Sequence, residues 1–469
     1  MVQHLIRIPR ISILQGKRLQ SGQASTIARN GPFRMSSCRF RLFALCLLAC
    51  FAILEFALRG PVRALEKDGQ NFNDFVSPYE QTRAWISGRD PYAPTVLRDL
   101  WPTSVRPHFV VTESVDGTLP AKRGIPSPYW TPTFPLLLPI AELPWKVAIC
   151  LWSVTSVVAV FVVALLLAHL ADARRDSPLA MMIIVSVLLW APLQTAIATS
   201  NIFTVAFALG MGAAFCLTQD RNRLAGMILI CSIALKPTVG MPFLIYILAQ
   251  RKRARMIPAA AATGILLLCV AVIPHHAGTL WWQSFLANSH RMFGRGAIDD
   301  FSTANPLHFQ LVNLSVAVFP LAQGRTVAEV SATLIFVFVL ILWLFALRRD
   351  GHLGFLDLSI LASASLLPVY HRFMDAGILL IPVAWALSEL EGKLRSYAVA
   401  CLLLASPFLV PGATMLHQFS DKYETLQKLS RSWLWEPFIL THEAWLILLL
   451  CAVLTAARYH DQVPTRVIT

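Results

Sequence analysis

The chain has 469 residues, of which 56% are hydrophobic and only 14% are charged, and its mean hydropathy is +0.59. This composition excludes a soluble globular domain and indicates a protein that crosses a lipid bilayer several times. The alternating polar and apolar residues of a membrane barrel are absent, so the spanning segments are predicted to be helices. The net charge of +14 lies in short basic clusters between apolar runs, which is typical of cytoplasmic loops and not of nucleic-acid binding.

Residues 1–39 are basic, contain almost no acidic residues and have no apolar core long enough for a cleaved signal. They are predicted to be either a disordered cytoplasmic arm or the product of a start codon assigned too early, since Met35 stands just before the first apolar run. Residues 40–457 are predicted to form one integral-membrane domain, and residues 458–469 a cytoplasmic tail.

About twelve spans are predicted when roughly 20 apolar residues are taken as a full span. They lie near residues 40–58, 145–169, 178–196, 201–218, 224–236, 238–249, 257–273, 326–347, 353–369, 374–390, 396–412 and 438–457. The two runs around Lys236-Pro237 are short and are predicted to form a broken hairpin among other helices. The basic clusters all fall on one side of these spans, which is assigned to the cytoplasm. Loops 59–144, 274–325 and 413–437 then lie on the outer face of the cell inner (plasma) membrane.

The first outer loop contains the most informative segment, Asn71 to Tyr92. Ser77-Pro78-Tyr79-Glu80 predicts a helix that begins with a capping box and has proline at its first position. The stripe that carries Tyr79 predicts that this helix lies flat on the membrane surface. Because Ser77 would already cap the helix, the neighbouring Asp74 is expected to project without a partner. Asp74 is therefore a candidate catalytic base, the alternative being a loop carboxylate bonded to backbone amides.

Ionisable residues at the outer ends of spans are costly near lipid and are therefore candidates for function. Lys236, beside the helix-breaking Pro237, is predicted to hold a phosphate; the alternative is a lysine that reaches the interface from a span end. Arg372 is predicted to grip the same phosphate while His371 hydrogen-bonds it, and ordinary interface residues are the alternative for both.

Further polar and aromatic residues are predicted to face the same side. Tyr129 and Trp130 are predicted either to stack on a sugar ring or to anchor the membrane interface. Asn201, in a tight turn after Ser200, is either a substrate hydrogen-bonding group or a turn residue. Asp299-Asp300 is expected to be a solvated loop pair. No further acidic ligands stand at a spacing typical of metal sites, so no metal and no other cofactor is predicted.

These motifs together resemble glycosyltransferase family 87. The resemblance covers most of residues 40–457 and rests on Asp-Phe at 74–75 with Tyr79 a few residues on, Gly-Arg-Asp-Pro-Tyr at 88–92, Tyr129 to Pro132, Leu235-Lys236-Pro237 and Tyr370-His371. Where many members of the family have a Gly-Gln-Asn-like turn, this chain has Ser200-Asn201 and retains the asparagine.

The resemblance implies an all-α, polytopic membrane mannosyltransferase of the C-type fold, with outward-facing loop helices, that uses polyprenyl-phospho-mannose. It also implies that Asp74 is the catalytic acidic residue of the first outer loop and that His371 belongs to the active site. Tyr79 is a further candidate for substrate binding. Membrane lipids are the surroundings in which such an enzyme meets its donor.

The function expected from these observations is inverting transfer of a hexose, with mannose implied by the resemblance. The donor is a polyprenyl-phosphate-linked sugar, and the acceptor is a hydroxyl of a glycolipid or glycan on the extracytoplasmic face, with Asp74 as general base. One alternative is a transporter or flippase of lipid-linked sugars, which needs no general base and typically places its charges at the bilayer midplane. The other is an oligosaccharide ligase that transfers whole glycans, which favours a much larger outer loop.

Overall fold

The computed structural model describes residues 33–65, 73–105, 107, 111–113, 122–250, 281–322, 324–350 and 352–461. The chain divides into two compact units, Met1–Leu47 and Leu48–Thr469. Of the first unit, only the start of one helix is described, and the second contains everything discussed below. The predicted span at 257–273, the basic cluster at 251–255 and most of the predicted arm at 1–39 lie outside the described residues.

The described part of the chain is almost entirely helical, as predicted. The α-helices are α1 Phe33–Arg59, α2 Pro61–Ala64, α3 Val76–Ile86, α4 Pro94–Leu100, α5 Thr133–Ala141, α6 Trp145–Leu170, α7 Pro178–Leu189, α8 Ala191–Ala198, α9 Phe203–Thr218, α10 Asn222–Leu235, α11 Pro237–Gln250, α12 Trp281–Phe293, α13 Leu314–Ala322, α14 Arg325–Asp350, α15 Phe355–Ala364, α16 Leu380–Ser388, α17 Arg395–Ala405, α18 Gly412–Ser420, α19 Glu424–Ser430 and α20 His442–Asp461. Short 3-10 helices cover His308–Gln310, Phe373–Leu379 and Ser406–Leu409, and a π-helix covers Trp435–Leu440. Strands β1 Val111–Glu113 and β2 Lys122–Gly124 pair antiparallel and are an addition to the predicted all-α fold.

Four helical segments among the described residues are long and apolar enough to cross a membrane: Phe43–Ala64, Trp145–Leu170, Arg325–Arg349 and His442–Asp461. Two bent pairs, α7 with α8 at 49° and Arg395–Leu409 with α18 at 50°, raise the number to six if each pair forms one span. Five shorter apolar helices accompany them. The prediction of a polytopic helical membrane protein is confirmed, and the count of about twelve spans stays a prediction.

Apolar side chains cover the outside of the long helices. Val154 and Leu165 on α6 are 56% and 58% exposed, and Leu334 and Phe338 on α14 are 63% and 59% exposed. A surface with so many exposed apolar side chains would aggregate in water, whereas a bilayer would bury it. The exposure pattern therefore agrees with the membrane assignment derived from helix length.

The predicted break at Lys236-Pro237 is confirmed, with α10 ending before it and α11 beginning after it. Proline interrupts a helix because it has no N–H to donate and its ring crowds the preceding turn. The carbonyl of Ala234 instead accepts from Trp130 Nε1 at 2.6 Å and from Thr133 Oγ1 at 2.8 Å. Trp130 and Thr133 thus satisfy the Ala234 carbonyl at the break, where Lys236 lies.

The start of α3 differs from the prediction. The helix begins at Val76 and has no side-chain cap, while Asn73 Oδ1 accepts from the main-chain N–H of Phe75 at 3.1 Å. The predicted capping box is therefore wrong, since Ser77 is the second residue of the helix and not its cap. Tyr79 does not face outward as predicted, because it is 1% exposed and its hydroxyl donates to the carbonyl of Leu143 at 2.6 Å. The placement of the helix on the membrane surface stays a prediction.

The end of the described chain also differs in detail from the prediction. Helix α20 continues to Asp461, so the predicted tail at 458–469 begins inside a helix. Arg458 is only 4% exposed and its Nε donates to Asp357 Oδ1 of α15 at 2.8 Å. This buried ion pair joins α15 and α20 at the end of α15 that is far from the cavity described next.

Candidate active site

A cavity of about 350 Å³ lies between the first outer loop, the helix break, α12 and the segment that leads into the Phe373–Leu379 3-10 helix. Its charged and amide side chains are Asp74, Asn201, Lys236, Asp299, Arg372 and Asp375. Much of the remaining lining is apolar and includes Trp101, Ile125, Phe285, Met292 and Phe293. The cavity therefore has one strongly polar region within otherwise apolar walls.

Asp74 is held through both its main chain and its side chain. Its main-chain N–H donates to Thr199 O at 2.7 Å, and its Oδ2 accepts from Asn201 Nδ2 at 2.7 Å. Asn201 is fixed in turn, because its Oδ1 accepts from the N–H of Phe203 at 2.9 Å at the start of α9. The preceding Ser200 has a φ of 54°, which closes the turn. The expectation that Asp74 projects without a partner is wrong, and its carboxylate is oriented by an amide.

Lys236 lies on the other side of the same amide. Its Nζ is 3.4 Å from Asn201 Oδ1 and 2.5 Å from Asp375 Oδ1. The side chain of Asp375 is 1% exposed and that of Lys236 is 17% exposed, so the ammonium faces the cavity from a buried carboxylate. Asn201 thus connects the candidate base to the candidate phosphate ligand.

Arg372 forms the second ion pair of the cavity. Its Nη2 donates to Asp299 Oδ1 at 2.8 Å and to Ile298 O at 3.3 Å, and its Nε donates to the hydroxyl of Tyr370 at 2.5 Å. Burial disfavours the charged guanidinium, but Tyr370, Asp299 and Asp74 outweigh it and raise the pKa of Arg372 well above its usual range. Arg372 therefore stays a cation.

His371 is 1% exposed and is not among the residues that line the cavity. Its Nδ1 lies 3.2 Å from Asp375 Oδ2, and its Nε2 lies 3.1 Å from Ser365 O. The main chain is fixed as well, since His371 O accepts from the N–H of Val312 at 2.9 Å. Both ring nitrogens are engaged inside the protein, so this geometry offers no contact between His371 and a phosphate.

Of the three aromatic candidates, Tyr129 and Trp130 line the cavity and Tyr79 does not. Tyr129 lines the cavity, and burial together with the carboxylates Asp74, Asp375 and Asp299 raises the pKa of Tyr129 well above its usual range. Tyr129 is therefore a neutral phenol. Trp130 also lines the cavity, but its indole N–H is used by Ala234 O. Tyr79 lies outside the lining residues and packs against Trp145, with ring centroids 5.2 Å apart.

Sequence reasoning left three residues out of the site: Asp299, Tyr370 and Asp375. The prediction that Asp299-Asp300 is a solvated loop pair is wrong, because these residues are 3% and 0% exposed. Asp300 accepts from the N–H groups of Gly296 at 2.7 Å and Ser302 at 3.0 Å, which fixes the turn that directs Asp299 to Arg372. The sequence does mark Asp375 as an ionisable residue at the outer end of a predicted span, but no role was assigned to it.

A family model described as glycosyltransferase family 87 matches residues 129–369, just over half of the 469 residues. The chain belongs to glycosyltransferase family 87. Together with its apolar helices, this makes the protein a membrane glycosyltransferase. Comparison with curated proteins and with solved structures gives no match.

The matched residues include Tyr129, Asn201 and Lys236 but end before His371, and Asp74 precedes them. The case for Asp74, Arg372 and Asp375 in this family 87 protein therefore rests on the geometry of the cavity. Within the described residues, no group of three or more His, Cys, Asp or Glu side chains is placed to hold a metal ion.

Proposed function

We propose that this family 87 protein transfers a hexose, mannose by resemblance to its family, from a polyprenyl phosphate to a hydroxyl of a glycolipid or glycan. The observation that carries the proposal is the arrangement of one cavity, in which the carboxylate of Asp74 lies beside two cations, Lys236 and Arg372. A base and a site for an anionic leaving group are the two parts that such a transfer requires.

The two cations keep donors for a phosphate after their internal contacts are made. An ammonium has three N–H groups, and those of Lys236 contact Asp375 and Asn201 within the described residues. The hydrogen bonds of Arg372 involve Nε and Nη2, and among the described residues Nη1 makes no hydrogen bond to the protein. One N–H of Lys236 and the Nη1 group of Arg372 therefore suit the oxygens of the donor phosphate.

Asp74 accepts the proton of the acceptor hydroxyl as its oxygen forms a bond to the anomeric carbon. The bond between that carbon and the phosphate oxygen breaks, and polyprenyl phosphate leaves with the electron pair. The transition state has oxocarbenium character, and attack opposite the leaving group inverts the anomeric carbon. Lys236 and Arg372 stabilise the charge that develops on the phosphate.

The surroundings of the cavity support a lipid-linked donor. The apolar walls formed by Ile125, Phe285 and Phe293 suit an isoprenoid more than a nucleotide. The one-sided distribution of Lys and Arg supports an active site on the extracytoplasmic face of the cell inner membrane. A C-type glycosyltransferase fold with about twelve spans is part of the same proposal.

The test is a transfer assay with purified protein in lipid bilayers and a panel of donors. The panel contains polyprenyl-phospho-mannose, polyprenyl-phospho-glucose and a nucleotide sugar, with candidate glycolipid acceptors. We expect transfer from a polyprenyl-phospho-hexose and none from the nucleotide sugar. Transfer from the nucleotide sugar alone, or movement of the lipid-linked sugar across the bilayer without transfer, would contradict the proposal.

Removal of either cation should weaken donor binding. Lys236→Ala and Arg372→Ala are each expected to cost about 1.5–3 kcal/mol, or roughly 10- to 150-fold in donor affinity, because each removes a charge-assisted contact. The measurement is a binding titration with polyprenyl-phospho-mannose in detergent. Arg89→Ala is the control, since Arg89 pairs with Asp99 at the surface and does not line the cavity. Unchanged affinity in both site variants would place the phosphate elsewhere.

A further inference from the structure

Both ring nitrogens of His371 lie at hydrogen-bond distance from oxygen acceptors. Nε2 faces the carbonyl of Ser365 at 3.1 Å, and a carbonyl has no proton to give. Nδ1 faces Asp375 Oδ2 at 3.2 Å. A neutral imidazole has one N–H and one lone pair, so it satisfies only one of two acceptors. Both contacts are hydrogen bonds only if the ring carries two protons or Asp375 carries one.

The remaining contacts of Asp375 decide between these possibilities. Its Oδ2 also accepts from the main-chain N–H of Arg372 at 3.3 Å, and its Oδ1 accepts from Lys236 Nζ at 2.5 Å. Two donors other than His371 therefore converge on this carboxylate. Contacts with an ammonium and a main-chain N–H favour the ionised carboxylate, so the second proton belongs to the ring.

We infer that His371 is a buried imidazolium and a positioning residue, which acts on Lys236 through the carboxylate they share. The carboxylate of Asp375 interacts with both His371 and Lys236, so it neutralises less of the positive charge of Lys236. More of that charge is then available to an anion in the cavity. The inference about the ring of His371 is drawn from its contacts, whereas its effect on the donor rests on the proposed function.

A positive charge on His371 changes the net charge around the cavity. The lining contains three carboxylates, Asp74, Asp299 and Asp375, and two cations, Lys236 and Arg372. These five groups sum to one negative charge, which disfavours an anionic donor. With an imidazolium at His371 the sum is zero, so the donor phosphate binds in a site that has no net negative charge.

Few other charged groups face His371. Asp375 contacts it directly, Lys236 lies beyond Asp375, and Arg372 is its neighbour in the chain. Helices α8, α9, α15 and α16 pack against the Phe373–Leu379 3-10 helix, and their one charged residue, Asp357, lies at the far end of α15. Asp375 is therefore the charged group that interacts most directly with His371.

The first experiment measures the ring directly, without a donor. Protein labelled with ¹⁵N-histidine in detergent is studied by NMR, and the His371 signals are assigned by their loss in His371→Gln. We expect both ring nitrogens to carry protons at neutral pH. A neutral ring, with one protonated and one bare nitrogen, would overturn the inference whether or not the proposed function is correct.

The second experiment tests the action through Asp375. His371→Gln should weaken binding of polyprenyl-phospho-mannose about tenfold. In an Asp375→Asn background the same change should alter affinity less than about twofold, because the connecting charge is gone. Equal losses in both backgrounds would assign His371 a structural role only. If glutamine does not fold at this buried position, His371→Asn serves in both experiments.

His308 offers a matched control. Its ring nitrogens also face a carbonyl and a carboxylate, Asn305 O at 2.8 Å and Glu436 Oε2 at 2.9 Å. It is 6% exposed and does not line the cavity. His308→Gln should leave donor affinity within about twofold of the parent. A tenfold loss there would show that removal of any buried histidine disturbs the cavity, and would overturn the specific role of His371.

Discussion

Asp74→Asn is expected to lower the rate of sugar transfer by about 10²- to 10⁴-fold, the usual effect of losing a general base. The substitution keeps the shape of the side chain, and its amide oxygen can still accept from Asn201 Nδ2, as Oδ2 does at 2.7 Å. The main-chain bond from residue 74 to Thr199 O is unaffected. Donor affinity and folding should therefore stay close to those of the parent, which separates loss of the base from loss of the site.

The measurement is transfer from polyprenyl-phospho-mannose in bilayers, with donor binding measured on the same sample. Asp90→Asn is the matched control, because Asp90 Oδ1 accepts from the N–H of Tyr92 at 2.8 Å and does not line the cavity. Transfer by Asp74→Asn within a few-fold of the parent would remove Asp74 as the base. It would also favour a transporter of lipid-linked sugars over an enzyme.

Asp357→Ala is expected to lower the free energy of unfolding by about 3–5 kcal/mol, because it removes the carboxylate that pairs with a buried guanidinium. Asp357 Oδ1 accepts from Arg458 Nε at 2.8 Å and from Trp343 Nε1 at 3.0 Å. Its Oδ2 accepts from the N–H of Gly354 at 2.8 Å. The carboxylate therefore joins α14, α15 and α20. Chemical denaturation in mixed micelles measures the loss.

The double variant Asp357→Leu with Arg458→Met separates charge from packing. Replacement of a buried ion pair by apolar residues of similar volume is often neutral or stabilising. We therefore expect the double variant to be clearly more stable than Asp357→Ala. If Asp357→Ala lowers the free energy of unfolding by less than about 1 kcal/mol, the Asp357–Arg458 pair contributes no more than a surface ion pair.

The sequence predicted the helices well where a single local signal sufficed. Runs of apolar residues marked the long helices, and Pro237 marked the break that holds Lys236, since a missing N–H is a property of one residue. The predicted spans placed Asp74, Lys236 and Arg372 on one side, and in the structure the three residues line one cavity. These features depend on composition and periodicity, which the chain displays without reference to distant contacts.

Other parts of the site depend on contacts that no local pattern displays. Ser77 has the residue type of a helix cap, but the helix begins at Val76, after a turn in which Asn73 Oδ1 accepts from the N–H of Phe75 and the N–H of Asp74 donates to Thr199 O. Asp299 has the appearance of a loop carboxylate, and its partner Arg372 lies 73 positions later in the chain. Trp130 has the appearance of a sugar platform, yet its N–H serves the helix break.

The carbonyl of Ala234 has a consequence for how the enzyme is made. Its hydrogen bonds come from Trp130 and Thr133, which stand 104 and 101 positions earlier. During synthesis these two hydrogen bonds can form only after α10 has been made, so the loop that donates them precedes its partner. The cavity also needs Asp299, Arg372 and Asp375, which are synthesised later still. A chain halted just after α11 therefore contains the broken helix and its lysine but not the complete cavity.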